Sequence, residues 1–128
     1  MTLKFLRPYL TAFALFLLVA CGGGKGSSAP PPSDFAVVPG DGMVTVTWTA
    51  TAGVDYWLMY AATSTPINIK SPPGVHLWLI NVSSPLEVTG LTNGQPYSFA
   101  MDARIDGGPG GPQTASVTAT PAASSPSP

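Results

Sequence analysis

Cys21 and His76 are the chain's single cysteine and single histidine. An intrachain disulfide is therefore excluded, and a zinc-type site, which takes three or four ligands, is short of sulfur and nitrogen donors. Charge is equally scarce: Asp, Glu, Lys and Arg make up 9% of the 128 residues. Beyond the first 20 residues the basic side chains are Lys25, Lys70 and Arg104, and they form no run that could follow a phosphate backbone. Nucleic acid is thereby excluded as an expected partner. The inventory for catalysis is thin too, because one His, one Cys and six scattered carboxylates yield neither a nucleophile with its base nor a pair of acids. Asp106-Gly107-Gly108-Pro109-Gly110-Gly111-Pro112 has the glycines of a phosphate cradle, but no helix-opening Lys-Ser/Thr follows them. The expectation is a protein without catalytic, cofactor-binding or metal-binding residues.

What is plentiful is Gly (14) and Pro (15), a composition that suits short strands and tight turns better than long surface helices. The length allows about one domain. The first 20 residues have the order of a secretory signal: Lys4 and Arg7, then an apolar run from Tyr9 to Ala20, then a small residue. Those 12 positions would rise only about 18 Å as a helix, short of the roughly 30 Å hydrocarbon core of a bilayer. An exported chain is expected, with the run removed and not retained as a membrane span.

The run ends in Leu18-Val19-Ala20-Cys21, which resembles the bacterial lipobox. That resemblance implies cleavage just before Cys21 and acylation of its thiol, giving a lipid-anchored protein of the cell envelope. Gly22 in place of Asp after the cysteine is similar to outer-membrane sorting in enteric bacteria. Residues 21–33 then read as the lipidated Cys and a Gly/Ser/Pro tether, and a flexible 12-residue tether has an r.m.s. reach of roughly 17 to 21 Å.

From Asp34 the pattern changes to period two. Phe35 and Val37 mark a first strand, ended by a turn at Pro39-Gly40-Asp41-Gly42. In Met43 to Thr49, Val44, Val46 and Trp48 share one face and Thr45, Thr47 and Thr49 the other. Tyr56 to Tyr60 and Tyr97 to Ala103 alternate strongly, and a closing strand at Ala115 to Ala119 stops at Pro121. Between Ala62 and Pro85 four prolines break the pattern, leaving one strand around His76 to Val82. Residues 34–121 form the expected domain and 122–128 a disordered tail.

These segments resemble the fibronectin type III family. Leu91, Gly94 and Tyr97 fall at that family's L-x-P-G-x-x-Y spacing with Asn93 in the proline position, Trp48 matches its strand B tryptophan, and Tyr56, Leu58 and Tyr60 match its strand C pattern. The resemblance implies an all-β, immunoglobulin-like antiparallel sandwich of about seven strands. It also implies a tyrosine corner, with the Tyr97 ring in the core and its hydroxyl bonded to upstream backbone. Trp48, Tyr56, Leu91, Gly94 and Tyr97 are accordingly structural.

If Tyr56, Leu58 and Tyr60 face the core, Trp57 and Met59 point away from it, and in His76 to Val82 both alternating sets are apolar, so one is left outside. Trp57 and Trp78 are the candidate partner surface. His76, alone in an apolar stretch, reads as structural, Asn81-Val82-Ser83 as an idle glycosylation sequon, and Arg104-Ile105-Asp106-Gly107 lacks the Arg-Gly-Asp order of an integrin ligand. Two functions fit: an envelope-tethered binding module for a protein or glycan, or a structural spacer without a dedicated ligand.

Overall fold

The computed structural model describes residues 26–124. The expected signal peptide (residues 1–20), Cys21 and the first tether residues lie outside them, as do residues 125–128. The described residues form eight strands: β1 (Ser27–Ala29), β2 (Ala36–Gly40), β3 (Met43–Thr47), β4 (Asp55–Ala61), β5 (Leu77–Leu79), β6 (Leu86–Val88), β7 (Tyr97–Ile105) and β8 (Val117–Ala119). One sheet runs β1-β7-β4-β5, with β8 also paired to β7; the other runs β2-β3-β6. All pairings are antiparallel.

The alternation of β3 and β4 sets the core between the sheets. Val44, Val46 and Trp48 meet Tyr56, Leu58, Phe99, Met101 and Ala103, and every one of them is buried. Tyr60 stacks on Phe99 with centroids 5.6 Å apart. At about 25 cal/mol per Å² of apolar surface removed from water, this cluster supplies the main drive to fold in a domain that can form no disulfide. Thr45 and Thr47 lie on the opposite face, half-buried.

Three expectations need correction. The tether does not run to residue 33, since Ser27–Ala29 pair with Ile105, Arg104 and Ala103 and Ala29 is buried. The cause is long-range: β7 is nine residues long, β8 covers only Tyr97 to Phe99, Thr114 bonds Met101, and β1 pairs with the last stretch from Ala103 to Ile105. It needs glycine on both chains, because a Cβ at Gly26 would strike the backbone of Ile105 and Gly108, and one at Gly108 the backbone of Ser27. This strand is the eighth, one more than the resemblance implied. Next, Pro39 and Gly40 do not end β2 but pair with Val44 and Met43, leaving a two-residue Asp41-Gly42 turn with Gly42 at φ 66°. Pro39 is tolerated because β2 is an edge strand.

Lastly, the alternation read in Tyr97 to Ala103 is not matched by an exposed side of β7: Ser98, Ala100 and Asp102 are as inaccessible as their apolar neighbours. The proline-rich stretch folds over the outer face of the β4–β7 sheet and builds a second small core from Ile67, Met59, Ala61 and Ala100. Met59 therefore points away from the main core as expected, yet is 1% exposed. The strap is fastened by side chains that imitate a neighbouring strand. The Gln113 amide accepts from Ile69 N–H (2.6 Å) and donates to the Ile67 carbonyl (2.9 Å), while Ser116 Oγ accepts from Ile67 N–H (2.8 Å).

Candidate interaction surface

Trp57 lies on β4 opposite Asp102, and Trp78 on β5 opposite Met59, so the pairing register places both rings on the outer face of one sheet. They meet edge to face, centroids 5.8 Å apart at 76°. Trp57 is further held by the Arg104 guanidinium, 3.6 Å from its ring centroid, and by Asn81 Oδ1, which accepts its indole N–H at 3.1 Å. Arg104 is aimed by Asp102, 2.8 Å away. Both tryptophans are half-buried, and Trp78 also packs against the strap's cluster. Trp78 is thus not the most exposed apolar residue of its segment. Leu77 (53%), Ile80 (56%) and Val75 (85%) take that place.

These exposed side chains lie on or beside β5, which closes its sheet on one side. Edge strands carry unpaired backbone groups and are usually guarded by prolines or charges. The edges of the other sheet are guarded in that way, β2 by Pro39 and β6 by Glu87. β5 has neither, its three-residue length being its one restraint on pairing, and no Asp, Glu, Lys or Arg occurs between Lys70 and Glu87. An apolar edge beside a clamped tryptophan pair is the surface of the described residues best suited to docking.

The residues assigned to structure sit as follows. Trp48 is 5% exposed and tilts against Tyr56 at 5.6 Å; its indole Nε1 is buried without a hydrogen-bond partner. Leu91 packs on the core, and its N–H donates to the Gly42 carbonyl (2.9 Å). Gly94 turns at φ 86° and donates to the Pro121 carbonyl (2.8 Å). The Tyr97 hydroxyl accepts from Thr92 N–H at 2.9 Å, and the Tyr56 hydroxyl accepts from Thr51 N–H at the same distance. The two sites are copies of one device. Thr51-Ala52-Gly53-Val54-Asp55-Tyr56 and Thr92-Asn93-Gly94-Gln95-Pro96-Tyr97 share a Thr-x-Gly-x-x-Tyr pattern. In each, the residue after Gly donates to the Thr carbonyl at 3.2 Å, and Gly has positive φ, 80° and 86°, as a type II turn requires. The role of Tyr56 beyond filling strand C was missed in the sequence, although this repeat was there to find.

The polar side chains do not gather into a reaction centre. His76 Nδ1 lies 2.8 Å from the Pro73 carbonyl, and among the described residues no three His, Cys, Asp or Glu side chains converge as a metal would need. Asp34 Oδ1 and Oδ2 accept from the Thr49 amide (2.9 Å) and hydroxyl (2.5 Å), and those bonds hold its carboxyl below the usual range. Burial, with Tyr97 adding to it, pushes the Tyr60 phenol up. Two open grooves, of about 450 and 420 Å³, lie between the strap and Gly111–Gln113 and between Pro30–Pro32 and Tyr56.

No protein-family model and no curated protein matches the chain. Among solved structures it is similar to the chicken CNTN1 FN1-FN3 domains, with TM-score 0.55 and 17% identity, over 74% of this chain and 33% of that one. The chain thus spans about a third of the length of that neighbour. At this identity the likeness is one of fold: an all-β, fibronectin type III-like sandwich of two antiparallel sheets.

Proposed function

We propose that the protein is a lipid-anchored, non-catalytic module of the bacterial cell envelope that docks a partner protein along β5 and the Trp57–Trp78 pair. The observation that carries the docking is the unguarded apolar edge: Leu77 and Ile80 are more than half exposed beside two rings already fixed in place. Pre-set side chains lose little entropy on binding. A protein is favoured over a glycan because Arg104 occupies a face of Trp57, the position a sugar ring would need. The anchoring rests on Leu18-Val19-Ala20-Cys21. Each buried methylene contributes about 0.8 kcal/mol and one chain holds only marginally, so the two or three chains implied by a lipobox anchor stably.

The test is photo-crosslinking in living cells with the reactive residue at Leu77, and with exposed Thr89, just after β6, as control. A discrete adduct at Leu77 alone, lost when Ile80→Lys is added, supports docking. Equal adducts at both positions, or none at Leu77, leave the spacer reading. That reading has its own support in the strap, Arg104 and Asn81, which already cover much of the ring pair.

A further inference from the structure

From the anchored reading and the placement of β1, we infer that the end of the sandwich bearing the 50–54, 80–81 and 106–108 loops is held against the lipid headgroups of the bilayer. β1 removes most of the expected tether: only residues 22–26 separate Cys21 from Ser27. Five residues span at most about 17 Å fully extended. Their fixed end is known, because Gly26 sits against the backbone of Ile105, Asp106 and Gly108.

Three loops share that end. Asp55, which opens β4, pairs with Arg104 near the end of β7, so residues 50–54 lie beside it. Asn81 reaches Trp57, and Val82 N–H donates to the Tyr56 carbonyl, which brings Ile80 there. The opposite end is built by Asp41, Gly42 and Asn93, which are bonded to one another, and by Ala62 after the last residue of β4. β4 has seven residues and separates the two ends by roughly 20 Å, more than the tether's full reach.

The anchored end also has surface chemistry suited to a zwitterionic headgroup layer. Asp55 and Asp106 contribute carboxylates, and the Arg104 guanidinium is taken by Asp102. With Lys25 of the tether next to Gly26 in the sequence, this end carries charge of both signs, which fits a zwitterionic headgroup layer such as phosphatidylcholine.

This inference rests on lipidation of Cys21, and the experiment separates the two. The intact lipidated chain, carrying Ala52→Cys or Ala62→Cys at exposed positions beside the two ends of β4, is spin-labelled. With Cys21 acylated, the new thiol is the sole free one. In phosphatidylcholine vesicles containing a nickel-chelating lipid, relaxation enhancement at position 52 should be several-fold that at 62, and 12 Gly/Ser residues inserted after Gly24 should abolish the contrast. Equal or reversed enhancement in a chain whose intact mass includes the lipid overturns the orientation alone. An intact mass without lipid overturns the anchor and the orientation with it.

Discussion

Removing the hydroxyl from Tyr97, from Tyr56 and from both tests whether the repeated turn is a structural device or two unremarkable core tyrosines. Each ring is buried, at 8% and 4% exposure, so Tyr→Phe leaves the packing in place and deletes one hydrogen bond. The cost depends on what the stranded Thr92 and Thr51 amides find instead. A buried N–H left unpaired costs about 1 to 3 kcal/mol, but both threonines are exposed residues and their bonds only partly buried, so water can reach the amides. About 1 kcal/mol for each substitution follows, or a fall in Tm of about 4 to 8 °C for a domain of this size. The two sites are far apart: Tyr56 is opposite Ala103, six residues along β7 from Tyr97, or about 20 Å. Their effects should therefore add within about 0.5 kcal/mol, giving a double variant about 2 kcal/mol less stable. The assay is urea unfolding followed by tryptophan fluorescence, with Trp48 against Tyr56 as reporter. Single variants within about 0.3 kcal/mol of the parent, less than the smallest net worth of a hydrogen bond, would refute the reasoning.

Gln113→Ala strips its two bonds to Ile67 and Ile69 and leaves only Ser116 Oγ on the Ile67 amide, so the strap should open at a local cost of about 2 kcal/mol while the sandwich persists. Amide hydrogen exchange at Ile69 should accelerate by more than tenfold with the Val46 amide unchanged; parallel acceleration at both would show that the strap is integral to the main core. Asp34 titrates below its ordinary range in the folded chain, so its contribution is present above the unfolded-state value near 3.8 and is lost as pH falls through the lower folded value. Asp34→Asn should accordingly lower Tm at pH 6 and make little difference at pH 2, as read by circular dichroism.

The readable parts of the fold are those in which one strand contains its own instructions. Val44-Thr45-Val46-Thr47-Trp48 alternates cleanly because one side meets the other sheet and the other side meets solvent, and the structure buries Val44, Val46 and Trp48 together. The same holds for Tyr56, Leu58 and Tyr60, whose placement put Trp57 on the outer face. From there, the adjacency of Trp57 and Trp78 needed only that β4 and β5 be neighbours. Their degree of exposure was not readable in the same way, since it depends on a strap with no periodic pattern.

What period and composition could not supply belongs to pairings made at long range. Ser27-Ser28-Ala29 has the composition of a linker, and it becomes a strand because β7 outruns β8 and offers an open edge to whatever chain passes it. The strap has the same origin. Ala100, Ala61 and Met59 make an outer face too apolar to leave wet, and the stretch with Pro66, Pro72 and Pro73, unable to donate a regular ladder, is fastened by the Gln113 amide and the Ser116 hydroxyl. Both segments are strangers to the local code, and each closes a gap that the long strand β7 creates. One consequence reaches function: β1 covers the open edge of β7 and the strap covers its outer face, so the unguarded apolar surface is displaced to β5. A partner strand arriving there would meet Leu77, Ile80 and the fixed tryptophans together, whereas the opposite side of the sheet is already taken by the chain's own β1 and β8.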